Sequence, residues 1–216
     1  GTQTPALLAD ILENLQPEED GARYVRAFDF QQQNARRDAA LLRVALMSGL
    51  PDKLTTAAFE RLPSGLVDDP NRRAELVRRL RKVPVTSGML NLIRRSGLRE
   101  AADVLLRASL EQKNELRVDA LVLLLDLEQQ SVIKTKLDSD DYETLAAMGE
   151  VLALSADSRS IELVVPFILN ESIPTSARRR AAVALAGGAT APLVLELVKE
   201  KKLPVAIRLA VAGPLC

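Results

Sequence analysis

The chain has 216 residues and 29 residues of each charge, so its formal net charge is zero and it lacks the global basicity of a nucleic-acid-binding protein. It has no histidine and one cysteine, Cys216, which excludes histidine-dependent nucleophile sets, histidine metal sites and a structural zinc site. Hydrophobic residues make up 47% of the chain but aromatic residues only 3%, a balance that favours closely stacked helices. Phosphate-binding glycine loops are missing as well, so we predict no catalytic residue, no metal and no cofactor.

The first helices are predicted from capping and proline signals. Thr4 is predicted to cap a helix that begins at Pro5 and carries an apolar stripe over residues 7–15. Pro17 and the acidic residues after it predict the start of a second helix. Its aromatic residues are expected in the core: Tyr24, Phe28 and Phe30.

The middle of the chain predicts short helices separated by proline and glycine. One helix runs over about 39–47 and stops at Gly49, and Asp52 is predicted to cap the next, which ends near Leu62. Asp69 and Pro70 begin another. Further helices are predicted over about 86–96, 98–110, 116–127 and 129–137.

The last third continues in the same way, for a total of about fourteen short helices and no segment with strand alternation. We interpret the dense acidic run 138–141 as a helix N-terminus and not as a carboxylate catalytic site or a calcium loop. The remaining caps are predicted at Asp157 or Ser158, at Thr175 and at Thr190, and Pro204 is predicted to begin the last helix.

A recurring frame links these helices: an arginine, a small or branched apolar residue three positions on, and a leucine seven positions on. It begins at Arg99, Arg117, Arg178 and Arg208, and the last two lie 30 residues apart. A period near 30 residues is the size of a two-helix unit, and stacked two-helix units form a solenoid. We therefore predict an all-α fold, a right-handed α-solenoid of about seven antiparallel helix pairs, as a single repeat domain over 1–216.

The frame, with Gly187-Gly188 after its Arg178 copy and the following residues 191–197, resembles HEAT-type (armadillo-like) repeats of the short bacterial kind. Residues 23–31 and 202–204 are also similar to the repeat segment of large bacterial multidomain proteins that carry a c-type haem domain. The second resemblance implies an exported protein that acts as a spacer or docking platform. It implies no haem here, because the chain lacks Cys-x-x-Cys-His.

Charge is segregated along the chain. Residues 70–99 carry a net charge of +8, and residues 138–171 carry −7. The basic residues form a candidate patch for phosphate, nucleic acid or an acidic partner, against the alternative of a solvated helix face. They are Arg72, Arg73, Arg78, Arg79, Arg81, Lys82, Arg94, Arg95 and Arg99.

The leading functional prediction is a non-catalytic module that binds a protein partner or a neighbouring domain of the same chain. The alternatives are nucleic-acid or phosphate binding through residues 70–99, and an accessory lyase-like HEAT protein. Residues 181–195 form the longest uncharged stretch and are too few to cross a bilayer, so no membrane insertion is expected from this segment. The repeat frame still continues at residue 215, which predicts a piece of a longer protein. Its location is expected to be extracytoplasmic if the haem-protein resemblance holds and cytoplasmic otherwise.

Overall fold

The computed structural model describes residues 4–14, 21–63, 65 and 69–215. Within these residues the chain forms fourteen α-helices and no strand, so the all-α prediction is confirmed there. The helices are α1 Pro5–Glu13, α2 Ala22–Ala27, α3 Ala35–Leu46, α4 Asp52–Arg61, α5 Pro70–Leu80, α6 Ser87–Ser96, α7 Ala102–Leu110, α8 Arg117–Asp126, α9 Gln130–Leu137, α10 Tyr142–Ser155, α11 Ser158–Leu169, α12 Thr175–Ala186, α13 Ala191–Lys199 and α14 Val205–Val211. Short 3-10 helices cover Phe28–Phe30 and Arg99–Ala101.

Side-chain caps begin many of these helices, as the sequence predicts. The side chains of Thr4, Asp69, Thr86, Asp141 and Asp157 all accept hydrogen bonds from backbone N–H groups of the first turn. The predicted start at Pro17 lies outside the described residues.

Three predicted caps are wrong, and the reason is local. Asp52 and Thr175 are the first helical residues, because Pro51 and Pro174 take the cap position before them. Thr190 does occupy a cap position, but its hydroxyl donates to the carbonyl oxygen of Leu185 and caps no N–H group. When a proline precedes a capping type of residue, the sequence can therefore place the helix cap one position too late.

Asp157 gives the fold a pH dependence. The guanidinium of Arg159 donates to its carboxylate at 2.9 and 3.0 Å, and this hydrogen bonding holds the pKa of Asp157 below its usual value of 3.8. A carboxyl group with a depressed pKa stabilises the fold fully above its unfolded pKa and loses that effect as pH falls through the folded pKa. We expect Asp157→Asn to lower the free energy of unfolding at neutral pH, with the deficit shrinking at acid pH as the carboxylate of Asp157 becomes protonated.

The measurement is urea unfolding of both chains across that pH range. Asparagine can still cap α11, so the comparison isolates the carboxylate charge. Asp119→Asn, at an exposed residue of α8, is the control substitution. A deficit for Asp157→Asn that stays constant with pH would show that the Arg159 contact does not stabilise the fold.

Residues Gly1–Val104 form one compact unit and Leu105–Cys216 form another. In the first unit, helices pack mainly with helices one or two places along the chain: α1 with α2 and α3, α2 with α4, α3 with α4 and α5, and α4 with α6. The apolar residues of these contacts are fully buried, among them Leu8, Phe28, Leu41 and Phe59.

The second unit repeats this arrangement more regularly. Helix α10 packs with α8 and α12, and α12 packs with α14, so that these four helices lie side by side. The intervening helices α9, α11 and α13 pack against α10 and α12. Contacts are thus mostly between neighbours in the chain.

The positions of the repeat frame are core positions. The residues three places after the frame arginines Arg117, Arg178 and Arg208 are 0% exposed in each case: Ala120, Ala181 and Val211. Leu124 and Leu185, seven places after, are also 0% exposed. The frame therefore marks the side of each helix that packs against its neighbours.

Gly149 lies where α10 comes closest to α12. A Cβ atom at this position would lie 2.5 Å from a ring carbon of Phe167 on α11 and 3.2 Å from the Cβ of Ala181 on α12. Since real Cβ atoms do not approach that closely, the packing requires glycine here.

Ion pairs between helices join residues over a limited range of separations along the chain. The shortest separation along the chain is 22 residues, for Arg81 and Asp103. The longest is 33 residues, for Arg43 with Asp10, for Arg117 with Glu150 and for Arg159 with Asp126. Every described interhelical ion pair is donated by an arginine, and each joins an element to one nearby in the chain.

One core prediction is wrong. Phe28 is buried and Tyr24 is half-buried, but Phe30 is 87% exposed. Phe30 ends the 3-10 helix Phe28–Phe30, whose tighter winding places it off the buried side of α2.

Candidate interaction surfaces

The nine candidate basic residues lie on α5, in the turn after it, on α6 and at the start of the following 3-10 helix. Two of them donate hydrogen bonds to neighbouring parts of the protein itself. Arg79 donates to the hydroxyl of Thr55 at 2.9 Å and to the carbonyl of Leu50 at 3.3 Å. Arg95 donates to carbonyl oxygens at the end of α4, including that of Leu62. Arg79 thus links α5 to α4, and Arg95 links α6 to α4.

Arg73 binds both a helix end and a carboxylate. It donates to the carbonyl oxygen of Gly97 at 3.0 Å and to both oxygens of Glu100 at 3.0 and 3.1 Å. These hydrogen bonds hold the pKa of Glu100 below its usual range. Arg81 forms a similar pair with Asp103, at 2.7 and 3.3 Å.

The two carboxylates lie just beyond residue 99, so the sequence count of +8 leaves them out. Of the other basic residues, Arg94 lies 3.5 Å from the side-chain oxygen of Asn91, and Arg99 also has a partner. Arg72, Arg78 and Lys82 are exposed, and the structure gives their side chains no bonded partner. Glu75 lies between Arg72 and Arg78 on the exposed side of α5, three residues from each, and reduces the local positive potential.

A second charged cluster joins three helices of the second unit. Arg117 on α8 donates to Glu150 on α10 at 2.8 Å, and Arg180 on α12 pairs with the other oxygen of Glu150. The side chains are largely buried, with exposures of 13% for Arg117, 19% for Glu150 and 33% for Arg180. We call this set the arginine–glutamate bridge.

The acidic segment 138–171 is thus partly structural. Asp141 caps α10, Asp157 caps α11, and Glu150 forms the centre of the arginine–glutamate bridge. The sequence shows an excess of negative charge in this segment but not which carboxylate faces an arginine. Since Glu150 lies 33 residues from Arg117 and 30 from Arg180, only the repeat period could have indicated the bridge.

Arg178, the frame arginine of α12, is 5% exposed. Its Nη2 lies 3.3 Å from the hydroxyl of Thr175, while Nε and Nη1 are buried without a hydrogen-bond partner. Arg208, 30 residues later on α14, likewise has a buried Nε without a partner. The frame arginines therefore differ: Arg117 has a carboxylate, whereas no ion pair is found for Arg178 or Arg208.

The described residues also form one groove and one exposed apolar helix face. A groove of about 720 Å³ between α1 and α3 is lined by Ala6, Ala9, Ala39 and Ala40. Arg43 at its edge already pairs with Asp10 and Glu13 of α1. On α14, Val205 is 61% exposed and Leu209 is 74% exposed.

Among the described residues, no group of histidine, cysteine and carboxylate side chains is arranged to hold a metal ion. No helix in that part of the chain combines the length and apolar character needed to cross a membrane. Comparisons with protein-family models, with curated proteins and with solved structures found no significant match.

Proposed function

We propose that the chain is a HEAT-like right-handed α-solenoid of about seven helix pairs and acts as a non-catalytic scaffold that binds another protein. The observation that carries the proposal is the pattern of packing: neighbouring helices pack with one another, and ion pairs join residues 22–33 apart. Repeat proteins have this one-dimensional pattern and use extended helical surfaces for binding. The residues three places after the frame arginine are buried in α8, α12 and α14, which supports the repeat.

The solenoid itself is tested by small-angle X-ray scattering. A compact chain of this length has a radius of gyration of about 17 Å. A solenoid is elongated, so we expect a clearly larger value and an asymmetric distance distribution for the monomer. A value at or below the compact estimate would contradict the solenoid.

The binding role is tested with photo-crosslinking residues on the two helix layers of the second unit. Suitable exposed positions are Asp119 and Arg179 on α8 and α12, and Lys134 and Glu196 on α9 and α13. A scaffold engages a partner through one layer, so we expect crosslinks to a defined protein from one pair of positions and not from the other. Equal, diffuse labelling from all four positions would count against a dedicated binding surface.

The second candidate is nucleic-acid binding through the basic segment, favoured by the exposed side chains of Arg72, Arg78 and Lys82. Three neutralised phosphates give a salt slope of only about −2.7 on duplex DNA. We therefore expect weak binding at low salt that disappears near 0.15 M, in a gel-shift titration at about 10 µM protein.

The triple variant Arg72→Gln, Arg78→Gln, Lys82→Gln should abolish the low-salt shift. Arg94→Gln is the matched control because Arg94 also lies in the basic segment but is already near Asn91. A tight complex that persists at physiological salt would instead favour nucleic-acid binding as the main function.

A further inference from the structure

Arg178 is one of two buried arginines among the described residues, and it is the one without a carboxylate. The other, Arg37, donates to the carbonyl oxygen of Phe28 at 2.9 Å and pairs with Asp38 at 3.2 Å. Arg178 is 5% exposed, forms no ion pair with any described residue, and has no hydrogen-bond partner at Nε or Nη1. Because a buried charge without a counter-charge is costly, a negative group close to Arg178 would stabilise the fold.

The guanidinium of Arg178 lies beside the first turn of α12. Its Nη2 donates to the hydroxyl of Thr175, the first residue of the helix, at 3.3 Å. Long side chains on a helix lean toward its N-terminus, so an arginine at the fourth position reaches the first one. Thr175 and Ser176 are both exposed, and the turn that the guanidinium approaches is therefore open to solvent.

The same turn has backbone donors without acceptors. Pro174 occupies the cap position and has no side-chain acceptor, whereas aspartates cap α10 and α11. The carbonyl oxygen of Pro174 accepts from the third and fourth N–H groups of the helix, and no hydrogen bond within the described residues uses those of Thr175 and Ser176. The first turn contains no acidic residue either, so the partial positive charge of the helix N-terminus is left uncompensated.

Two kinds of positive group thus meet at one exposed turn: unbonded N–H groups of a helix N-terminus and the guanidinium of Arg178. The nearest acidic residue along the chain, Glu171, is exposed and takes part in no ion pair that the structure describes. Helix N-termini bind phosphate and sulfate groups through such N–H groups, and arginine adds a charge-assisted hydrogen bond. The combination therefore selects an anion with several acceptor oxygens.

We propose that the first turn of α12 is a binding site for a tetrahedral oxyanion, a phosphate or sulfate group. The N–H groups of Thr175 and Ser176 and the Nη2 of Arg178 hold its oxygens, and the two hydroxyl groups supply further donors. The bound anion provides the negative charge that Arg178 lacks, as Asp38 does for Arg37.

The test is a titration of the whole ¹⁵N-labelled chain with inorganic phosphate, at constant ionic strength in a chloride buffer. We expect saturable shifts of the amide resonances of Thr175 and Ser176, with a dissociation constant on the order of 1 mM. Arg178→Met keeps a long side chain without the charge and should weaken binding about tenfold. Arg179→Gln is the matched control, because it removes the same charge from the adjacent exposed position and should leave the affinity within about twofold.

Thr175→Pro tests the backbone part of the site and leaves Arg178 in place. Proline suits the first helical position, and the extended conformation of Pro174, with φ −52° and ψ 131°, is compatible with a following proline. The substitution removes one N–H group and one hydroxyl group, so we expect phosphate to bind about fivefold more weakly. This variant decides the matter if Arg178→Met fails to fold.

A parallel titration with O-phospho-L-serine distinguishes two sources of the same chemistry. Tighter binding than that of inorganic phosphate indicates a phosphate group carried on a side chain, and equal or weaker binding indicates the free ion. The proposal is overturned if the amides of Thr175 and Ser176 show no saturable shift up to about 20 mM phosphate. It is also overturned if a folded Arg178→Met or Thr175→Pro variant binds phosphate as tightly as the unmodified chain.

Discussion

Gly149→Val is expected to lower the free energy of unfolding by about 3 kcal/mol, because overpacking of a tight helix contact typically costs about 1–3 kcal/mol and valine adds three carbons. Its Cβ would start 2.5 Å from the Phe167 ring and 3.2 Å from Ala181, so either the buried Phe167 ring or α10 itself must shift. Gly149→Ala should cost less, since helix propensity returns about 1 kcal/mol. Chemical denaturation by urea measures both.

The matched control is Gly187→Ala at the end of α12. A Cβ there would lie no closer than 3.6 Å to its neighbours, and the backbone φ is an ordinary −82°. We expect a change within about 0.5 kcal/mol. If Gly149→Val were equally mild, α10 and α12 would not be packed as closely as described.

Glu150→Gln is expected to destabilise the chain by about 1–2 kcal/mol. It leaves the volume unchanged but removes the charge between Arg117 and Arg180, whose guanidinium groups then lack their shared carboxylate. Because these side chains are only 13% and 33% exposed, water replaces the carboxylate poorly. Salt should screen the effect less than it screens a surface pair.

A double-mutant cycle that combines Glu150→Gln with Arg117→Met measures the interaction energy of these two side chains apart from their contacts with other residues. We expect a favourable coupling energy of about 1 kcal/mol between positions 117 and 150. Glu200→Gln is the control: its partner Lys202 is 57% exposed, so that pair should contribute within about 0.5 kcal/mol. A coupling no larger than the control would mean that the arginine–glutamate bridge does not hold α8 to α10.

Most of the helices could be predicted from the sequence, because the residues that begin and end a helix act within one or two turns of it. A capping side chain such as Asp69 or Asp141 bonds within its own first turn, and Thr86 does the same for α6. The frame positions were likewise predictable, because residues three and seven places apart share one side of a helix. Local geometry decides these features.

Contacts between residues that are distant along the chain could not be predicted from sequence signals of this local kind. Nothing near Arg73 in the sequence shows that it binds Glu100 and the end of α6, so the basic segment was overestimated as a free patch. Nor does the sequence distinguish Phe30, at the end of a 3-10 turn, from the buried Phe28. Such contacts depend on how helices are placed in space, which the helical period alone does not determine.

The spacing of the arginine contacts has a consequence for folding kinetics. Since interhelical ion pairs close segments of only 22–33 residues, the mean separation of contacting residues is small relative to the 216-residue chain. Low contact order favours rapid folding, because little loop entropy is lost before each contact forms. In the proposed solenoid, structure would start at any adjacent pair of helices and spread outward one helix at a time. A duplicated stretch of about 30 residues would then add contacts without disturbing those already present.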